Sequence, residues 1–381
     1  MAAVTTCLVS AGELVRMVRV LERVSNYWGV PSSMFVRITP HADDAILASL
    51  SADVSAVVRL NGVSGWIADH PIYVDRRMLF PFISTGLTDE PYKVSLADNV
   101  LTLKHTRRRA ALSLSTETGG YPAPPKRGKD ILTSDVAVGL LQCAASCGIA
   151  DPVRPEFGSV MLIRTDEVAA VEVMSSNQIV LFYMQSSDMS IAPGIHAMPM
   201  NLISLLPIPE LQSVAFDGTS MILRLPSALI WCMLPPTLNR FPIDVASQLV
   251  KTLPETIFNI RADVLSGVVH ALSTYMASMR RRDWCMDIMG SAGDSKVTIG
   301  STAQSSRFDV EVDAETLYQR NFLMEVPLGV LVAVFDYLSQ DPASSVAFCA
   351  TPGSSDAPVY ITNGQLTVVV SRRHGDRTTF S

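Results

Sequence analysis

The chain is short of charge. Of its 381 residues only 17% are charged, and the 30 basic residues are outnumbered by 36 acidic ones, giving a net charge of −6. That balance excludes a generally basic nucleic-acid binder; any contact with nucleic acid must come from a local stripe on an acidic body. Long apolar runs are also missing, and none approaches the roughly 20 residues that a membrane-spanning helix needs. The first residues lack a basic segment followed by an apolar one, so the sequence is read without a secretory signal and without a membrane partner. The six cysteines (Cys7, Cys143, Cys147, Cys232, Cys285 and Cys349) never fall in a CxxC pair. This argues against a disulfide scaffold and favours free thiols in a reducing, cytoplasmic compartment.

Catalytic signatures are equally scarce. No GxGxxG follows a strand-like run, and no GxSxG elbow occurs. The segment Gly290-Ser-Ala-Gly293-Asp-Ser-Lys296 has some letters of a phosphate-binding loop, but its lysine follows the serine and the spacing is wrong. The six histidines (His41, His70, His105, His196, His270 and His374) are isolated. His41-Ala42-Asp43-Asp44 contains metal-ligating types, yet it lies in a polar stretch between two strand-like runs and reads as a solvated turn. Cys143 and Cys147 are helical i,i+4 neighbours with no further ligands beside them, and read as small buried hydrophobes. No cofactor and no metal are expected, and a binding role is preferred over an enzymatic one.

What the chain does have is a repeat. Residues 198–242 give a short apolar helix, then strand-like runs at 214–216, 221–225 and 229–234, the first two flanking the hairpin pair Asp217-Gly218. The same order recurs at residues 75–114, around Asp98-Asn99, and at 326–370, around Asn363-Gly364. The second and third copies share Ser-Val-Ala-Phe, at 213–216 and 345–348. Each copy follows a leading helix, expected over 10–28, 134–147 and 263–279, and strands at 34–39, 45–51, 55–60, 159–164, 168–174, 179–184, 284–289, 296–300 and 308–313. The stretch 251–261 is expected as a strand. Helix, strands, helix, strands, three times over, is an α+β arrangement and not the βαβ alternation of a parallel sheet.

Charge is uneven along this frame. Residues 1–129 hold 15 basic against 11 acidic residues, net +4; residues 130–245 hold 4 against 11, net −7; residues 246–381 hold 11 against 14, net −3. In the first helix Leu14, Met17, Val18, Leu21 and Trp28 share one face, while Arg16, Arg19 and Arg23 share the opposite one. Arg76 and Arg77 open the next helix, Arg107–Arg109 lie at a hairpin tip, and Arg280, Arg281 and Arg282 end the third leading helix. For an isolated helix such a stripe reads as a solvated face. The Pro- and Gly-rich segment GGYPAPPKRGK, 119–129, reads as a linker.

Taken together, the three copies resemble the bacterial-type DNA polymerase sliding clamp, the β subunit of the replicative polymerase holoenzyme, over essentially the full length. Residues 99–117 resemble the strands that close its first domain. Arg240-Phe241-Pro242 resembles the RFP motif that closes the second, and residues 326–350 and 367–370 resemble the helix and strands of the third. The resemblance implies three repeated DNA-clamp domains per chain, 1–122, 130–245 and 246–381, with a linker at 123–129 and a short C-terminal extension. Two chains would close head to tail into a homodimeric ring around double-stranded DNA. Arg16, Arg19, Arg23, Arg76, Arg77, Arg280, Arg281 and Arg282 would then face phosphates, through sequence-independent contacts. It also implies a groove that takes peptide motifs from DNA polymerase and clamp loader. By position it would be built from Phe157, Asn177, Gln178, Ile179, Val180, Pro242, Val245, Ala246, Val368, Val370 and Ser371.

The sequence departs from the family at that groove. The usual Gly-His-Arg-Leu reads Asn177-Gln178-Ile179-Val180, the usual Met-Pro-Met-Arg reads Val370-Ser371-Arg372-Arg373, and His374–Ser381 extend past the usual end. A divergent clamp of this kind suits a bacteriophage serving its own polymerase in the bacterial cytoplasm. Two other readings stay open: a clamp-fold scaffold for transcription or repair factors, and an α+β enzyme or structural protein with an unrecognised site.

Overall fold

The computed structural model describes the chain except residues 1–4, 26–33, 42–43, 51–53, 61–69, 86–88, 117–124, 126–128, 133–134, 149–154, 166–169, 178, 190, 192, 204–211, 217–219, 227, 234–240, 281–283, 304–305, 355–356, 372–378 and 381. The first repeat runs β1 (Thr5–Val9), α1 (Ala11–Ser25), β2 (Phe35–His41), β3 (Asp44–Leu50), β4 (Val54–Leu60), β5 (Ile72–Asp75), α2 (Arg76–Ser84), β6 (Tyr92–Ala97), β7 (Val100–His105) and β8 (Arg108–Ser113). The second runs β9 (Lys129–Leu132), α3 (Asp135–Ser146), β10 (Ser159–Arg164), β11 (Val171–Ser176), β12 (Val180–Ser186), β13 (Gly194–Pro199), α4 (Met200–Ile203), β14 (Ser213–Phe216), β15 (Ser220–Leu225) and β16 (Ala228–Met233). A helix, α5 (Ile243–Lys251), intervenes. The third runs β17 (Thr256–Arg261), α6 (Ala262–Tyr275), β18 (Met286–Gly290), β19 (Lys296–Ala303), β20 (Ser306–Asp313), β21 (Glu315–Thr316), β22 (Phe322–Val326), α7 (Leu328–Leu338), β23 (Ser345–Cys349), β24 (Val359–Thr362) and β25 (Leu366–Val370), followed by β26 (Thr379–Phe380).

The repetition extends to strand order. The first half of each repeat forms the order β5-β2-β3-β4, β13-β10-β11-β12 or β22-β18-β19-β20; the second half forms β1-β6-β7-β8, β9-β14-β15-β16 or β17-β23-β24-β25. All named strand pairs are antiparallel, so short turns suffice to connect them. Asp98 and Asn99 both take positive φ (48° and 61°), the left-handed pair a two-residue hairpin needs, and Gly364 (φ 91°) serves the third copy. The turn expected at Asp217-Gly218 lies outside the described residues.

Half-sheets of successive repeats then fuse. β4 pairs with β16, giving one sheet of eight strands, and β12 pairs with β25, giving another of nine. The compact units therefore do not follow the three expected segments. One unit comprises Met1–Thr133 with Leu205–Leu234, and the other Ser134–Ser204 with Pro235–Ser381. In the first, α1 packs on α2, β3 and β4. In the second, α7 packs against both α3 and α6.

Three expectations are corrected. Residues 243–251 are helical where only the end of a repeat was expected, so the strand expected from Lys251 starts at Thr256. Lys129, placed in the linker, is the first residue of β9 and pairs with Phe216. Strands β1, β5, β9, β13 and β22 were not anticipated. They are edge or bridging strands of four to six residues, and their patterns were absorbed into the neighbouring helix signals.

Candidate functional site

The cationic helices come first. The amide of Leu14 donates to the carbonyl of Ser10 (3.0 Å), which sets the start of α1. Ala11, Leu14, Met17, Val18 and Leu21 are buried, while Arg16 is half-buried and Arg19 exposed. The side chain of Arg23, and all of Trp28, lie outside the described residues. On α2 the two arginines behave differently. Asp75 caps the helix by accepting from the Arg77 amide (2.9 Å), and the Arg77 guanidinium folds back onto the same carboxylate at 2.7 Å. That hydrogen bond holds the Asp75 carboxyl below its usual range and raises Arg77 in turn. Arg77 is thus already paired at the helix N-terminus. Burial lowers Arg76, partly offset by Asp75. Arg280 is exposed beyond the end of α6, and Arg281 and Arg282 lie outside the described residues.

The hairpin arginines hold a surprise for a residue type read as solvated. Arg108 reaches back to the C-terminus of α2, donating to the carbonyls of Thr85 (2.9 Å) and Phe82 (3.1 Å) and to Thr85 Oγ1 (2.6 Å). Its guanidinium carbon also sits 4.8 Å from the centre of the Phe82 ring. One side chain therefore satisfies carbonyls that a helix end leaves without partners and ties β8 to α2.

The groove residues separate into two groups, and strand alternation explains the split. Leu181 and Val369 are opposite one another in the β12–β25 pair. Both belong to a cluster with Met174, Tyr183, Phe241, Ala246 and Val250, against which Phe157 and Ile243 also pack. Phe157 meets Phe241 edge-on at 6.2 Å. This is the α5 side of the sheet. Ala246 and Val250 are its buried contacts, whereas Val245 (56% exposed), Leu249 (39%) and, just past the helix, Leu253 (44%) remain open. Pro242, at the N-cap of α5, is exposed too.

Val180, Val368 and Val370 point to the other side. They alternate with Leu181 and Val369 and are 1%, 0% and 2% exposed. Phe182 pairs with both Ser175 and Val368, and the Ser175 hydroxyl donates to the Ala144 carbonyl of α3, which marks this face as the helix-covered one. These three valines are core, not groove lining, and the expectation for them is corrected. The remaining residues gather at the strand ends. Asn177 Oδ1 accepts from the Ile179 and Val180 amides (both 2.7 Å), and the Ile179 carbonyl accepts from the Ser371 amide at 2.7 Å. Gln178 lies outside the described residues.

Among the described residues, no group of three or more His, Cys, Asp and Glu could hold a metal ion. Gly290–Lys296 is a hairpin: Gly290 ends β18 and Lys296 opens β19, ion-paired to Glu311 at 2.6 Å. A side chain at Gly290 would meet the Phe322 ring at 2.4 Å, so glycine serves packing there. His41 stands opposite Asp44 across the β2–β3 turn. Cys143 and Cys147 are fully buried beneath α3, and burial pushes the Cys147 thiol from 9.0 to about 12.

No family model matches the sequence, and no curated protein matches it. Solved structures do. The DNA polymerase III subunit beta from Pseudomonas aeruginosa superposes with a TM-score of 0.75 at 12% identity, covering 97% of this chain and 100% of that one. The DNA polymerase sliding clamp from Bacillus subtilis gives 0.77 at 11% identity, covering 97% and 100%. The Helicobacter pylori beta clamp bound to a DNA ligase peptide gives 0.75 at 10% identity, covering 97% and 99%. With identity this low, what is shared is architecture: the chain has the fold of the bacterial DNA polymerase III β subunit.

Proposed function

We propose that this protein is a DNA sliding clamp, a non-enzymatic processivity factor that encircles duplex DNA and tethers a DNA polymerase and other partners. The observation that carries this reading is the threefold repeat of one half-sheet order, matched over 97% of the chain by bacterial sliding clamps.

The same repetition supports ring closure. Within the chain, the last strand of one repeat's first half pairs with the last strand of the next repeat's second half: β4 with β16, then β12 with β25. Two edges are left, β20 of the third repeat and β8 of the first. By the same rule β20 of one copy joins β8 of the next, a heterologous contact that closes when the rotation allows. Charge favours it. β8 opens with Arg108 and Arg109, and β20 exposes Asp309, Glu311 and Asp313. A homodimer supplies six repeats.

The open apolar side of α5, with Val245, Leu249 and Pro242, is the surface on which an extended partner peptide would dock. The Helicobacter pylori clamp carries a DNA ligase peptide, so repair enzymes belong beside polymerases and a clamp loader among the partners of this reading.

Negative-stain imaging of the purified protein is the decisive experiment. Closed rings with a hole wide enough for a duplex are expected. Monomers or open filaments at micromolar concentration would overturn the reading.

A further inference from the structure

The cations on the helices are not shared among the repeats. α1 carries Arg16, Arg19 and Arg23 and α2 carries Arg76 and Arg77, whereas α3, α4, α6 and α7 contain no Lys or Arg. α5 has one, Lys251, but lies on the other face of its sheet from α3. The packed layer of α3, α7 and α6 carries carboxylates instead: Asp135, Asp263 and Asp336, the last 3.5 Å from His270. The positions of α6 that reach solvent fully are Gly267, His270, Ala271 and Thr274. A duplex carries about one phosphate charge per 1.7 Å of axis, and binding without sequence preference needs cations to replace its counterions. Small neutral side chains with interspersed carboxylates offer none.

Resting on the clamp reading, we propose that phosphate contact is confined to the first repeat. Arg16 and Arg19 on α1 hold the duplex, and the helix layer of the second and third repeats is a neutral-to-acidic surface past which the duplex moves without binding. Arg77 adds little, because its fork is closed on Asp75. Arg280, beyond the end of α6, is outside the contact. Such a clamp neutralises few phosphates. Its hold on DNA is topological more than electrostatic, and its direct affinity falls only gently with salt.

The test is a salt titration of the full-length protein with a short fluorescently labelled duplex, read by anisotropy as the slope of log affinity against log salt. Each phosphate contact contributes about 0.9 to that slope. Arg16→Ala with Arg19→Ala should lose roughly two units per chain engaged, and Arg280→Ala should leave the slope unchanged. Ala271→Lys with Thr274→Lys, both on the exposed side of α6, should steepen it by a similar amount. If Arg280→Ala flattens the slope as much as the α1 double variant, confinement to the first repeat is wrong while the clamp reading stands. If neither the α1 arginines nor the lysines on α6 change the slope, the helix layer does not face a duplex, and the clamp reading falls with the proposal.

Discussion

Leu181 and Val369 face each other across the β12–β25 pair, on the side of the sheet covered by α5. One residue along, Val180 and Val370 also form a pair, on the side covered by α3. The outer apolar surface available to a partner is thus set by α5, which is laid over Leu181 and Val369. Four predictions follow from this and from the arginine contacts, and each names a measurement.

Replacing Val245 and Leu249 with Asp puts charge on an exposed surface, so the protein should fold normally by circular dichroism. Peptide anchors on α5 would lose at least about 2 kcal/mol, since buried apolar anchors dominate such contacts. Isothermal titration with a peptide from the cognate polymerase reads the loss. Val180→Asp, by contrast, buries a charge in the core and should unfold the protein. Unchanged peptide affinity in the Val245 and Leu249 variant would move the partner site elsewhere.

Arg109→Glu should weaken association between copies by placing like charge against Asp309 and Glu311 on the facing edge. A shift of roughly tenfold in the dimer dissociation constant, about 1.4 kcal/mol, is expected in sedimentation at low salt. Adding Asp309→Arg to the same chain should recover much of it. If the single variant associates like the parent, β8 and β20 do not meet.

Arg108→Ala removes three hydrogen bonds at the C-terminus of α2 together with the contact over Phe82. A loss of about 1–2 kcal/mol in denaturant unfolding is expected, discounted for the half-exposed site. The exposed neighbour Arg109→Ala should cost no more than about 0.5 kcal/mol. Equal costs at the two positions would show that Arg108 is merely solvated.

Cys147 gives stability a dependence on alkaline pH. Its folded-state value is raised above the unfolded 9.0, so the contribution of the buried thiol is fully present below pH 9 and is lost as pH rises toward about 12. Cys143 shifts in the same direction. Above pH 9 the slope from Cys147 approaches about 1.4 kcal/mol per pH unit. Cys147→Ala should be less stable at neutral pH but should flatten this alkaline decline. An identical decline in the variant would assign it to other groups.

Much of this protein was legible in its residues. The threefold order of helix and strands was read from apolar runs punctuated by Asp98-Asn99 and Asn363-Gly364, because period-two patterns and left-handed turn pairs are local signals. The burial of Leu14, Met17, Val18 and Leu21 opposite Arg16 and Arg19 followed from helical spacing, and the inert character of Cys143 and Cys147 from the lack of further ligands. Other features required the folded chain. Whether Val180 or Leu181 faces the partner surface depends on which side of the strand α5 covers, and a one-residue choice of face is invisible in a run of apolar residues. The pairing of Arg77 with Asp75 and the reach of Arg108 to Phe82 and Thr85 depend on where two ends of one repeat meet. The fusion of β4 with β16 and of β12 with β25 depends on edges that no local pattern encodes, because backbone hydrogen bonds between strands carry no side-chain signature. The sequence by itself determined the elements and their repetition; tertiary contact alone decided which faces and edges were left open for a partner.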